Sequence, residues 1–199
     1  MGTKISLSGL SILPFDPKTH DVSAFDCGDS DLNEFLQKDA QEYQREHLSF
    51  TRVVFHDKAL VAYISLSSDS IVLKTPEKKK LIDFYASVMH WPALKIGRLA
   101  VVSDRQRKSG IGKALLQYAV AVALRMGDDS GVGCRFLTVD AYPVSIDFYQ
   151  RHGFVFNKHY VDKESRDGFE TLCQVQNVEE NSKTHPSMRY DFLRSAPIE

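Results

Sequence analysis

Apolar positions along the chain switch between a period of two and a period of three to four, and the switches mark its elements. Ile5 to Phe15 predicts a first strand. A turn cluster from Phe25 to Ser30 leads into a helix. Its apolar stripe is Leu32, Phe35, Leu36, Ala40 and Tyr43, and Gln37, Lys38, Gln41, Glu42 and Arg45 face away. Asp31 followed by Glu34 gives that helix a capping-box-like start. Phe50 to Phe55 and Ala59 to Leu66 predict an antiparallel hairpin around His56, Asp57 and Lys58, with Ile71 to Leu73 extending the sheet. Thr75 and Pro76 cap and open a helix running toward Val88. Lys78, Lys79 and Lys80 near its start read as a solvated face.

The second half begins with a β-prone run from Leu94 to Val102, interrupted only by Lys95, Gly97 and Arg98. Gly97 inside it marks a bulge or a close backbone approach. Gly112 to Met126 is apolar over most of its girth and predicts a deeply packed helix ending at Gly127. Phe136 to Val139 is a strand, Pro143 starts a short helix with Gly153 suited to its C′ position, and Phe154 to Tyr160 is a strand again. Val161 to Pro186 turns polar and reads as a mobile insertion with a short helix near Phe169 to Val175. Met188 to Leu193 resumes a strand pattern, and the tail after Arg194 is expected to be loose. The expected fold class is α/β (α+β), a mixed, mostly antiparallel central sheet flanked by helices. The whole chain, 1–199, is expected to be one domain with the polar insertion at about 161–186.

Composition narrows the function classes. A net charge of −1 gives no global basic field of the kind that announces nucleic-acid binding. Cys27, Cys134 and Cys173 are an odd number without metal or disulfide spacing, so they read as reduced thiols of a cytoplasmic protein, and no metal is expected. No apolar run approaches the roughly 18 residues of a spanning helix, so no membrane partner is expected. Met1 to Ser6 matches the myristoylation pattern, which we read as coincidence.

The candidate chemistry lies where the Leu94–Val102 strand turns through a basic loop into the apolar helix. Strand, glycine loop and helix aim backbone N–H groups and a positive dipole end at one anion, and Arg105, Arg107, Lys108 and Lys113 add charge there. A P-loop would need glycine at Arg107 and a hydroxyl at Ala114, and a dinucleotide fingerprint would need glycine at Leu115. Both motifs fail. What remains, Arg107-x-x-Gly110-x-Gly112, resembles the pyrophosphate loop of the GNAT acetyltransferase superfamily. Downstream, Phe148-Tyr149-x-x-x-Gly153-Phe154 resembles the signature near the end of that family's core. Two motifs in order and in the right context are far more specific than either alone.

The resemblance implies an N-acetyltransferase with acetyl-CoA as cofactor. Leu99, Ala100 and Val101 would pair their backbone with the pantetheine arm, and Leu99 N–H would act as oxyanion donor. Arg107, Lys108, Ser109, Gly110, Ile111, Gly112 and Lys113 would cradle the pyrophosphate, with Phe148 against the cofactor or core. Tyr149 stands at the general-acid position for collapse to amide and thiolate. The Leu94–Val102 strand has no Asp or Glu, and Asp31, Glu42 and Asp140 are base candidates without support. That departure suits an acceptor amine already largely neutral near pH 7.

The Phe25-Asp26-Cys27-Gly28 turn, Leu32-Asn33-Glu34-Phe35-Leu36 and Gly97-Arg98-Leu99-Ala100-Val101 also resemble a branch containing toxin–antitoxin acetyltransferases, which act on the aminoacyl group of charged tRNA. The implied acceptor is therefore a small-molecule or aminoacyl amine. The implied partners are tRNA and an antitoxin protein, and a homodimer is compatible with the resemblance. A non-catalytic acyl-CoA-binding module is the competing class, against which the intact Tyr149 argues.

Overall fold

Among the described residues the alternating apolar segments fold into seven strands: β1 (Leu10–Pro14), β2 (Phe50–His56), β3 (Ala59–Ile71), β4 (Trp91–Val101), β5 (Phe136–Asp140), β6 (Val155–Phe156) and β7 (Ser187–Asp191). They form one sheet in the order β1-β2-β3-β4-β5-β7-β6, so the expected mixed α/β class is present. The structure, a computed structural model, describes residues 9–73, 77–78, 81, 88–105, 109–157 and 185–198. Pro76, Lys79 and Lys80, most of the 161–186 insertion and the Met1–Ser6 pattern lie outside the described residues, whereas Lys78 is described and its Nζ donates to Val88 O at 2.7 Å. Two compact units are present: residues up to Ser68 with Lys95–Val122, and Asp69–Leu94 with the chain from Ala123 onward.

In the first unit, β2 and β3 form the expected hairpin. Asp57 and Lys58 sit at φ 51° and 65°, the left-handed pair that matches the twist of a two-residue hairpin turn. β3 runs on to Ile71, so the hairpin arm and its expected extension are one strand. The first helix, α1, has three segments: Ser30–Glu34, a π-helical turn Phe35–Asp39, and Ala40–Arg45. Its N-cap is Asp29, whose carboxylate accepts the Leu32 N–H at 3.1 Å. The Asp31–Glu34 capping box is therefore a correction: Asp31 lies inside the first turn, and Glu34 pairs with Lys38 at 3.5 Å. A cap needs extended backbone before the first turn, which Asp29 has at φ −125°.

The π turn explains the uneven apolar spacing. Ala40 N–H bonds Phe35 O, five residues back, and Phe35, Leu36 and Ala40 all reach the core while Tyr43 stays exposed. They pack on Phe15, Phe25, Val53, Tyr63 and Ala100. Val53 and Tyr63 are cross-strand partners beneath α1. Arg52 lies on the opposite face of β2, where its Nε donates to the hydroxyl of Tyr118 at 3.1 Å. Tyr118 belongs to α2 (Ile111–Asp128), so α1 and α2 cover opposite faces of this part of the sheet.

In the second unit, Trp91, Ala93, Phe136, Ile71 and Leu73 form a core in which Trp91 and Phe136 meet edge-on at 6.1 Å. β5 pairs antiparallel with β7 from Phe136↔Asp191 to Asp140↔Ser187. The Arg135–Asp191 ion pair closes one end of that ladder at 2.8 Å. Arg189, in the middle of β7, pairs with Glu77, and all four of these side chains are more than four-fifths buried. α3 (Ile146–Arg151) follows a 3-10 turn at Pro143–Ser145. The strand expected over Phe154 to Tyr160 is, among the described residues, only Val155–Phe156.

The loose C-terminal tail is a second correction. Tyr190 OH donates to Ala196 O at 2.8 Å, Ser195 N–H bonds Asp191 O at 2.7 Å, and Ile198 is buried. A polar-looking tail is tied down because the hydroxyl of a buried tyrosine needs an acceptor.

Gly153 closes α3 at φ +84°, and a Cβ there would lie 3.2 Å from the Tyr190 ring. Gly153→Ala is therefore expected to cost about 1–2 kcal/mol or more, as left-handed strain joins a ring contact, read as a lower denaturant midpoint with unchanged slope.

Candidate active site

The strand–loop–helix segment lies in the first unit. Val102 N–H donates to Val61 O of β3 at 3.0 Å, so strand alternation points the backbone groups of Leu99 and Val101 away from β3. Ala100 turns its side chain into the α1 core, and Leu99 and Val101 are half-buried on the other face. Gly97 lies in the uninterrupted strand Trp91–Val101, and an added Cβ would meet only Ser65 O at 3.6 Å, an ordinary contact. Among the described residues nothing in the packing demands a glycine there.

The end of β4 is clamped by the turn before α1. Ser103 N–H donates to Asp26 O at 3.2 Å, and Ser103 Oγ also donates to Asp26 O at 3.3 Å. The turn is built by the Asp26 carboxylate, which accepts from Gly28 N–H at 2.8 Å and Asn33 Nδ2 at 2.9 Å. Those two bonds hold its carboxyl below the usual carboxylate range. Gly28 sits at φ +82°, and a Cβ there would come within 3.2 Å of Ser103 Oγ. Sequence reading identified this segment as a turn and missed its grip on the loop. The Asp-x-Gly spacing was the available signal.

After the clamp, Arg105 Nη1 lies 3.2 Å from His56 Nδ1 and its Nε 3.9 Å from Asp104. Arg107 and Lys108 lie outside the described residues. Ser109 is buried, and its Oγ accepts the Ile111 N–H at 3.3 Å. Gly110 stands at φ +75° with no described residue within 4 Å of an added Cβ, and its carbonyl accepts the Ala114 N–H at 3.0 Å. α2 thus starts at a glycine in a conformation that other residues resist. Gly112 and Lys113 follow in the first turn, where helical N–H groups have no partner in the helix's own ladder. This is a fitting cradle for a phosphate.

Tyr149 and Phe148 lie in the second unit, on α3. The Tyr149 ring is 5% exposed and packs edge-on against Phe148 at 5.1 Å and Phe154 at 5.2 Å. Burial pushes its phenol well above the ordinary tyrosine value. Its carbonyl accepts from His152 and Phe154 N–H groups at 3.0 and 3.1 Å, so the turn through Gly153 fixes the residue from behind. Phe148 is half-buried, with the His152 ring 4.7 Å away.

Of the base candidates, Glu42 is ion-paired with Arg45 on the surface, Asp31 is 63% exposed, and Asp140 is exposed at the end of β5. Burial raises the Cys27 and Cys134 thiols, which makes them poor nucleophiles, and Cys173 lies outside the described residues. Among the described residues no group of three His, Cys, Asp or Glu could hold a metal, and no helix is long and apolar enough to cross a membrane.

Comparison with known families matches residues 52–156 to the acetyltransferase (GNAT) domain. That span is more than half of the chain and runs from within β2 to the end of β6, taking in both motifs. The chain belongs to the GNAT acetyltransferase family and is an acyltransferase. Solved structures share the fold. A tyrosine-to-phenylalanine mutant of KacT matches at 21% identity and a TM-score of 0.66, covering 92% of this chain and 95% of that one. AtaT complexed with acetyl-methionyl-tRNA matches at 19% and 0.60, covering 92% and 95%. An AtaT mutant toxin bound to acetyl-CoA and the C-terminus of the antitoxin AtaR matches at 18% and 0.56, covering 92% and 93%.

Gly110→Ala is expected to weaken coenzyme A binding by about tenfold, because its φ cannot be kept without a cost of about 1–2 kcal/mol. Titration calorimetry of wild type and variant checks it.

Proposed function

We propose that this protein transfers the acetyl group of acetyl-CoA directly to the α-amine of an aminoacyl group on charged tRNA. When bound, acetyl-CoA supplies the activated acyl group. The first turn of α2, with Arg107, Lys108, Ser109, Gly110, Ile111, Gly112 and Lys113, holds its pyrophosphate. Leu99, Ala100 and Val101 pair along its pantetheine arm. The Leu99 N–H stabilises negative charge developing on the acyl oxygen. The amine nitrogen forms the new bond to carbon, the carbon–sulfur bond breaks, and Tyr149 delivers a proton to the departing sulfur. The proton lost by the amine goes to solvent and restores the phenol.

The observation that carries the catalytic reading is Tyr149, a buried phenol whose raised ionisation keeps it protonated across the physiological range. The β4 strand carries no carboxylate, which favours an amine that needs little help losing its proton. An α-amine next to an ester carbonyl is of that kind, and the complex of the structural neighbour AtaT with acetyl-methionyl-tRNA supports that acceptor class. The antitoxin bound to AtaT likewise supports an antitoxin partner for this chain.

Purified protein, acetyl-CoA and a pool of charged tRNAs should yield N-acetyl-aminoacyl-tRNA, read by mass spectrometry of the released amino acids. Absence of that product alongside acetylation of simple amines would reject the tRNA acceptor. Tyr149→Phe is expected to lower kcat by about a hundredfold or more, with coenzyme A affinity within about twofold. Because the phenol ionises above its ordinary value of about 10, wild-type kcat should not fall as pH rises from about 7 to 9.5. A decline in that window would remove the phenol as the acid.

A further inference from the structure

Arg98, one residue before Leu99 on β4, is not explained by packing or by the roles given above. Its guanidinium carbon lies 5.2 Å from the centre of the Phe35 ring, at the start of the π turn in α1. Nη1 donates to Gly97 O at 3.0 Å. Nη2 stands 3.9 Å from Asp31 Oδ2, too far for a hydrogen bond. Nε is buried with no hydrogen-bond partner among the described residues. About a third of the side chain remains exposed. A cation is thus seated over an aromatic ring, with its hydrogen-bonding capacity largely unspent. Such under-used donors are costly in a folded chain and persist where a ligand completes them.

The position of Arg98 determines which ligand that is. α1 and α2 cover opposite faces of this part of the sheet, and the phosphate cradle belongs to α2. Arg98 opens on the α1 face, with Ala100 and Phe35. An acceptor that reaches the Leu99 N–H from the face not taken by the phosphates passes this guanidinium. We propose that Arg98 binds the acyl oxygen of the acceptor's α-aminoacyl group, so that the amine three bonds away is presented to the acyl carbon. The proposal rests on the acceptor class proposed above and adds the residue that selects it. Arg98 and the exposed Asp31 together offer a donor for the carbonyl and a negative charge beside the amine.

Arg98→Gln keeps a donor and removes the charge and the fork, and Arg98→Lys keeps the charge alone. Both would be assayed with charged tRNA and with two minimal acceptors, an amino-acid amide and an alkylamine of equal size lacking the acyl oxygen. Wild type should prefer the amide over the alkylamine by about tenfold or more in kcat/KM. Arg98→Gln should raise the KM for charged tRNA and for the amide by about tenfold, change kcat little and erase that preference. Arg98→Lys should recover part of the preference. Coenzyme A affinity and melting temperature should stay at wild-type values in both variants. An unchanged acceptor KM in a folded Arg98→Gln protein would overturn the proposal, as would loss of coenzyme A binding, which would assign Arg98 to strand geometry. A wild type that acetylates the amide but not charged tRNA overturns the tRNA acceptor and leaves the Arg98 comparison intact. A wild type without preference between amide and alkylamine overturns the Arg98 assignment.

Discussion

The burial of Tyr63 is the constraint on which the first unit depends. Its ring is fully enclosed in β3, edge-on to Phe25 at 5.4 Å and stacked with Phe35 at 6.1 Å. A phenol enclosed in that way needs an acceptor, and it donates to Leu32 O of α1 at 2.7 Å. One side chain therefore sets the height of α1 over the sheet, the seat of Phe35 and the depth of the turn at Phe25. From that turn, Asp26 O reaches Ser103 and fixes where β4 ends. The loop into α2 and the seat of Arg98 on Phe35 both follow from that placement.

In the second unit the equivalent role falls to charge. Arg135–Asp191 and Arg189–Glu77 are ion pairs with little exposure, and removing one partner of such a pair characteristically costs about 3–5 kcal/mol. The gain is register. A one-residue slip of β7 against β5 would move Arg189 away from Glu77 and turn Met188 and Tyr190 outward. Tyr190 in turn stacks on Phe154 and crowds Gly153, the turn that closes α3 behind Tyr149. A buried tyrosine on a six-residue helix is thus held by a strand pairing far from it in sequence.

Much of the architecture was legible in the residues, because each element carries its own period. The hairpin, α2 and the strand–loop–helix segment all emerge near the expected places, and Gly153 occupies the left-handed conformation that its place after a helix implies. The errors share one cause. Asp29 was passed over as the cap because Asp31 and Glu34 offered a tidier local pattern. The tail was read as loose because its anchor is the hydroxyl of Tyr190, which no local pattern announces. The long β4 began earlier than expected because Trp91 finds Phe136 across the core.

The sequence alone determined the family and the two motifs, since the left-handed glycine, the helix start and the Phe-Tyr pair are properties of consecutive residues. Only tertiary structure decided which surrounding groups serve them. The stacking of Tyr190 on Phe154, the clamp of Asp26 on Ser103 and the placing of Arg98 over Phe35 all join residues distant in the chain. Side-chain reach across a sheet depends on register and helix height, and those are fixed by packing of the whole core rather than by any local spacing.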